Sequence, residues 1–132
     1  MGAWDLGPFE NDGALDLLGD LDGTADPAAA LAGAMREILA QDDYVEGPEM
    51  SGAVAAACVV GARLVGAEPA PVAARWLDAN PFEVDAELRG LAARTLERAA
   101  RPDDNELYEL WDEADGSRAW LETLTPYRRA LA

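Results

Sequence analysis

Residues 53–62, AVAAACVVGA, are apolar on every side of a helical wheel. A helix with no polar face must be enclosed from all directions, so this segment belongs at the centre of whatever surrounds it. It is too short to cross a bilayer. Its small side chains let neighbouring helices approach closely, because interaxial distance follows the size of the residues at the contact. The rest of the chain therefore has to supply a shell.

That shell reads as helical. No window alternates apolar and polar residues with β-branched enrichment, whereas helix starts and stops recur. A Gly- and Pro-punctuated leader over residues 1–10 is expected to run extended and pack on the helices, followed by a helix carrying Leu15, Leu18 and Leu21. Asp26-Pro27 pairs an N-cap with a proline at the first helical position, where its missing N–H does no harm. Leu31, Met35, Ile38 and Leu39 then share a face, and this helix is expected to end near Asp42-Asp43, although two acids suit a C-terminus badly. Gly47-Pro48 opens the central helix, which runs to about Val65 with Gly66 as its stop. Pro69 and Pro71 precede a short helix with Val72, Trp76 and Leu77, ended by Asn80-Pro81. Asp85 caps a helix to Arg101 that turns Leu88, Leu91, Ala92, Thr95, Leu96 and Ala99 inward. Asp104 is expected to cap the next, with Leu107, Leu110 and Trp111 on one face. Ser117 begins the last, with Trp120, Leu121 and Leu124 inward, and Pro126 is expected to kink or split it before Tyr127 and Leu131. The expected architecture is a single all-α domain over residues 1–132, about six helices around an Ala-rich central one.

Charge restricts function more than fold. The chain has 132 residues, 26 acids, 10 basic residues and a net charge of −16; the basic residues are all Arg, and His is absent. An imidazole base, a His-ligated metal and Ser–Lys chemistry are thereby removed. A single Cys excludes an internal disulfide and a Cys-rich zinc site. Excess acid disfavours nucleic acid, itself a polyanion. The start of the sequence has no basic-then-apolar targeting pattern, and no stretch spans a membrane, so a cytoplasmic address with Cys58 as a reduced thiol is expected. The charge is also segregated. Residues 1–50 hold twelve acids and one Arg (−11), residues 51–101 six of each, and residues 102–132 eight acids and three Arg (−5).

Asp12, Asp16 and Asp20 recur at i, i+4, i+8 and share a helix face. This is either an acidic ridge that docks Arg or Lys of a partner, or a solvated face whose like charges cost a few tenths of a kcal/mol per pair. Asp20, Asp22, Gly23 and Asp26 imitate part of a calcium loop, but Leu18 and Ala29 stand where its first and last carboxylates belong, so a turn followed by a cap is the expected reading. Glu10 with Asp12, and Asp112 with Glu113, are sequence neighbours and not carboxylates flanking a cleft. Cys58 sits in the apolar run with no His to activate it and is expected to be buried and inert. Trp76, Trp111 and Trp120 read as core. Trp4, ahead of the first helix, is either a cover over the core or an interface anchor. Arg94, Arg98 and Arg101 make a small basic ridge expected to pair within the molecule.

The opening MGAWDLGPFENDGALDLLGDLD resembles the start of the bacterial domain-of-unknown-function family 4259, and the similarity continues through DYVEGPEMSGAVAAACVV and NELYELWDEA. The sequence departs from that pattern at Asp5 and Leu6, and at Cys58, where an acid is expected. The resemblance implies a compact helical domain and supplies no catalytic residue. The expected role is a non-catalytic acidic interaction domain without a cofactor or a metal. It would bind a basic protein, as an inhibitor or immunity-type partner, through Trp4, Asp12, Asp16, Asp20 and Asp22, and would bind neither nucleic acid nor membrane. The alternative is a small-molecule or divalent-cation domain built from Trp4, Phe9 and nearby acids.

Overall fold

A computed structural model of the chain describes residues 7–65 and 71–132. Among the described residues seven helices follow one another: α1 (Asp12–Leu21), α2 (Pro27–Leu39), α3 (Gly47–Val65), α4 (Pro71–Ala79), α5 (Ala86–Ala100), α6 (Glu106–Glu113) and α7 (Ser117–Leu131). No strand occurs among the described residues; an isolated parallel bridge joins Val45 to Asn105. The expected all-α class holds, with one more helix than the approximate count.

The apolar run lies where its composition demands. Every residue from Ser51 to Ala62 is buried, and α3 packs against all six other helices. The buried side chains form one cluster that includes Leu18 of α1, Leu31 and Met35 of α2, Trp76 of α4, Leu96 of α5, and Trp120 and Leu124 of α7. All six inward residues expected on α5 are buried. Trp76 Nε1 satisfies its donor on the Leu18 carbonyl at 2.8 Å, as a buried indole requires. Trp111 is half-buried and lies with its ring 6.5 Å from that of Trp120, tilted by 14°.

Local chemistry sets the helix ends. Asp26 accepts from Ala29 N at 3.1 Å and Asp85 from Leu88 N at 2.8 Å, the two caps read from the sequence. Asn11 does the same for α1, from Ala14 N at 2.7 Å. Three boundaries differ from expectation. α2 stops at Leu39, before Asp42-Asp43, so the acids stay outside a C-terminus whose exposed carbonyls would repel them. Asn105, not Asp104, caps α6, accepting from Tyr108 N at 3.1 Å, while Asp104 takes a left-handed backbone (φ 52°) that turns the chain. α7 is not split at Pro126, because packing of Trp120, Leu124, Tyr127 and Leu131 on both sides of the proline outweighs one missing N–H. Gly66 as a helix stop lies outside the described residues.

Two buried side chains tie the turns to the bundle. Asn105, fully enclosed, donates Nδ2 to the carbonyls of Ala99 (2.8 Å) and Arg101 (2.9 Å), closing the end of α5 while its oxygen opens α6. Val45 N donates to Asp104 O at 3.0 Å and Glu106 N to Val45 O at 3.1 Å, so the α2–α3 and α5–α6 connections are held side by side. Asn80 does a similar service at the other end, accepting from Gly23 N and donating to Asp22 Oδ1, both at 2.9 Å.

Candidate functional site

α1 crosses the start of α3 at Gly13 and Gly52. A Cβ on Gly13 would lie 2.6 Å from the Pro48 carbonyl oxygen, so the crossing is closer than any side chain allows. This contact sets the acidic face of α1 beside the first turn of α3. Asn11, Asp12, Gly13 and Asp16 then border one groove and Gly13, Asp16, Leu17 and Asp20 another, with Pro48 also shared by both.

The first groove, of about 320 Å³, lies among the starts of α1, α3 and α6. Pro48, Leu107 and Leu110 give it apolar walls, and Asp12, Asp16 and Glu106 give it carboxylates. Glu106 is already engaged, its Oε1 accepting from Gly47 N at 2.8 Å and serving α3 as a cap supplied by another helix. Ser51 also lines the groove; it is 6% exposed, and its hydroxyl has no hydrogen-bond partner among the described residues. The second groove, of about 530 Å³, runs between α1, α2 and α3 past Asp16, Asp20, Glu37 and Glu49. Among the described residues no Arg lines either groove.

Helix ends modify this charge. Three N-termini meet at the first groove, each carrying about half a positive charge, so they offset roughly half of its three carboxylates. The second groove has four carboxylates and one N-terminus, and the C-terminal end of α2 at Ile38 adds negative potential. The two grooves therefore differ: one is chiefly apolar and weakly negative, its neighbour strongly negative.

Asp12, Asp16 and Asp20 lie exposed on one face of α1, as their spacing requires. Asp22 does not join them. It follows α1 as its C-cap, accepts from Asn80, and borders a separate depression with Val72 and Arg75. Trp4 lies outside the described residues. Phe9, half of the aromatic pair expected in the alternative pocket, is instead core, 2% exposed and edge-on to Tyr127 at 6.1 Å between centroids. The leader's last four described residues make a turn, Glu10 N donating to Gly7 O at 3.1 Å, which tucks Phe9 inward. Glu37, Glu49 and Glu106 escaped sequence reasoning because three different helices bring them to the α1 ridge. Only the i, i+4 spacing within α1 is a local signal.

The remaining candidates resolve into structural roles. Asp22, Gly23 (φ 75°) and Asp26 form a turn and a helix cap. No group of three or more metal-ligating side chains converges among the described residues. Asp112 accepts from Ser117 Oγ at 3.3 Å beside exposed Glu113. Cys58 is fully buried, and burial pushes its thiol well above the usual range, which suppresses the thiolate. In the Arg ridge, Arg98 turns inward to the carbonyls of Asp104 at 2.7 Å and of Asp43 and Asp103 at 3.3 Å. Its partners are backbone oxygens and not the acids that simple charge pairing suggests. Burial, then the neighbouring Arg101, lowers its pKa from the ordinary arginine value, opposed in part by Asp104. Arg94 and Arg101 stay exposed. No helix among the described residues is long and apolar enough to cross a membrane.

A family model described as a domain of unknown function (DUF4259) matches residues 2–123, a span that runs across all three segments carrying the resemblance. No curated protein and no solved structure matches the chain.

Proposed function

The chain belongs to the DUF4259 family, a domain of unknown function, and from that premise we propose that it is a non-catalytic interaction domain that docks a basic protein, as an inhibitor or immunity-type partner. The observation that carries this reading is the pair of adjoining grooves sharing Asp16 and Pro48, walled by six carboxylates from four helices and by no Arg among the described residues. Such a face attracts cations over several ångströms and accelerates a salt-sensitive encounter. In this reading nucleic acid and membrane are not partners, since both present anions. A cytoplasmic setting suits the lone Cys58 thiol. The reading that no reaction is catalysed draws on the missing His and Lys and on the buried, proton-retaining Cys58. The test is affinity capture at low and high salt with the wild-type chain and with the Asp16→Lys, Glu37→Lys, Glu49→Lys triple variant. A basic protein held by the first, released by salt and missed by the second is the expected result. Equal capture by both chains, or none that salt releases, refutes the docking role.

A further inference from the structure

The partner's chemistry is legible in the difference between the two grooves. We propose that they receive a cationic amphipathic segment of the partner, one apolar side chain entering the groove between α1, α3 and α6 while Lys or Arg side chains lie along the groove between α1, α2 and α3. This rests on the docking role above and goes further, because a purely electrostatic partner would have no use for the first groove.

Three observations support the division. The first groove's walls at Pro48, Leu107 and Leu110 are apolar, and its carboxylates are partly spent: Glu106 is bound to Gly47 N, and the three helix N-termini together offset roughly half of the carboxylate charge. Its volume of about 320 Å³ leaves ample room for a large side chain, since a cavity of roughly 150 Å³ holds a benzene ring. Ser51 brings a hydroxyl to this groove from a residue 6% exposed and with no hydrogen-bond partner among the described residues, so an occupant's polar group has a site to satisfy. Binding clefts share this make-up, apolar walls with a few polar groups that fix orientation. The second groove has the opposite character. Asp16, Asp20, Glu37 and Glu49 line it, and the hydrogen bond they make among the described residues is to a neutral side chain, Gln41 Nε2 donating to Glu49 Oε2 at 3.2 Å. Charge complementarity therefore selects cations there. The shared border at Gly13, Asp16 and Pro48 puts both grooves within reach of neighbouring side chains on one helical turn.

Three synthetic helical peptides serve as probes for the isotope-labelled full chain, followed by amide chemical shifts: a Leu/Arg amphipathic peptide, the same peptide with its Leu residues replaced by Ala, and a Leu/Glu counterpart. The Leu/Arg peptide is expected to bind with shifts at Gly47, at residues 49–51 and 107–110, and along Asp16, Asp20 and Glu37. The Ala-substituted peptide is expected to bind at least about tenfold more weakly, with shifts confined to the acidic groove, and the Leu/Glu peptide not at all. Leu110→Gln should remove the advantage of Leu over Ala in the peptide. Ser51→Thr, which narrows the same groove, should reduce it independently should Leu110→Gln disturb α6. Equal affinity for the Leu/Arg and Ala-substituted peptides, with shifts confined to the acidic groove, overturns this inference and leaves the docking role standing, whereas shifts centred on Arg94 and Arg101 remove both. Absence of salt-sensitive binding by either cationic peptide removes the docking role itself.

Discussion

Asn105 shows how much one buried amide holds. Its nitrogen occupies carbonyls at the end of α5 and its oxygen caps α6, so Asn105→Ala strands acceptors and a donor together. The expected loss is about 2–4 kcal/mol in urea unfolding, from the cap and the unpaired groups combined. Asn105→Asp keeps the cap acceptor but turns a carboxylate on those carbonyls, and should be no better than Ala. An aspartate variant as stable as wild type would show that the donor half is idle. Tyr127 gives a second test at this scale. Burial, with Cys58 nearby, pushes its phenol up to about 12, so the folded chain keeps a proton that the unfolded chain releases near 10. The stabilisation is complete below the unfolded value and is lost as pH rises from 10 towards 12. Cys58, also raised by burial, and Tyr44, raised to about 12 chiefly by its hydrogen bond to Glu109, act in the same direction. Tyr127→Phe should therefore flatten the alkaline fall by roughly 1–3 kcal/mol, leaving a residual slope from the other two groups. An unchanged slope would assign the fall elsewhere.

Among elements, the α1–α3 crossing positions the site, and its glycines separate two effects. A Cβ on Gly13 would meet backbone at 2.6 Å, whereas one on Gly19 in α1 or Gly33 in α2 would have nothing within 4 Å. Alanine at Gly19 or Gly33 should stabilise by about 0.4–1 kcal/mol through helix propensity and a less flexible unfolded chain. Alanine at Gly13 should destabilise by about 1–3 kcal/mol despite the same propensity, because two helices must move apart. Thermal unfolding of the three variants decides this, and a stabilised Gly13→Ala would mean the crossing is looser than the contact implies. The legible parts of the fold were those with a local signature. α3 declared itself by having no polar face, α5 by its six inward positions, and α2 and α5 by Asp caps. Asp104 reads as the α6 cap from sequence, and nothing local corrects that to Asn105; only the buried carbonyls of α5, which need a donor as well as an acceptor, select the amide. For the site, the α1 spacing put Asp12, Asp16 and Asp20 together, but the diversion of Asp22 to Asn80 and the arrival of Glu37, Glu49 and Glu106 depend on tertiary packing. So does the burial of Phe9, which removes it from the surface pocket expected around the leader.

Across the whole molecule, the −16 charge is unevenly placed, and the structure focuses part of it into two grooves of different character. A sequence count alone treats every carboxylate alike. The helix ends, the Gly47 contact of Glu106 and the Asn80 contact of Asp22 divide acids that serve the fold from acids that face an open groove. The most direct test compares binding of the Leu/Arg peptide, across a salt series, by three chains: wild type, the Asp16→Lys, Glu37→Lys, Glu49→Lys variant, and a control with the same charge change at exposed Asp78, Glu83 and Glu122. A loss of at least about tenfold with a flattened salt dependence for the groove variant, and a much smaller loss for the control, is the predicted result. Equal losses for both variants would mean that net charge alone attracts the peptide, and would contradict a docking site in the grooves.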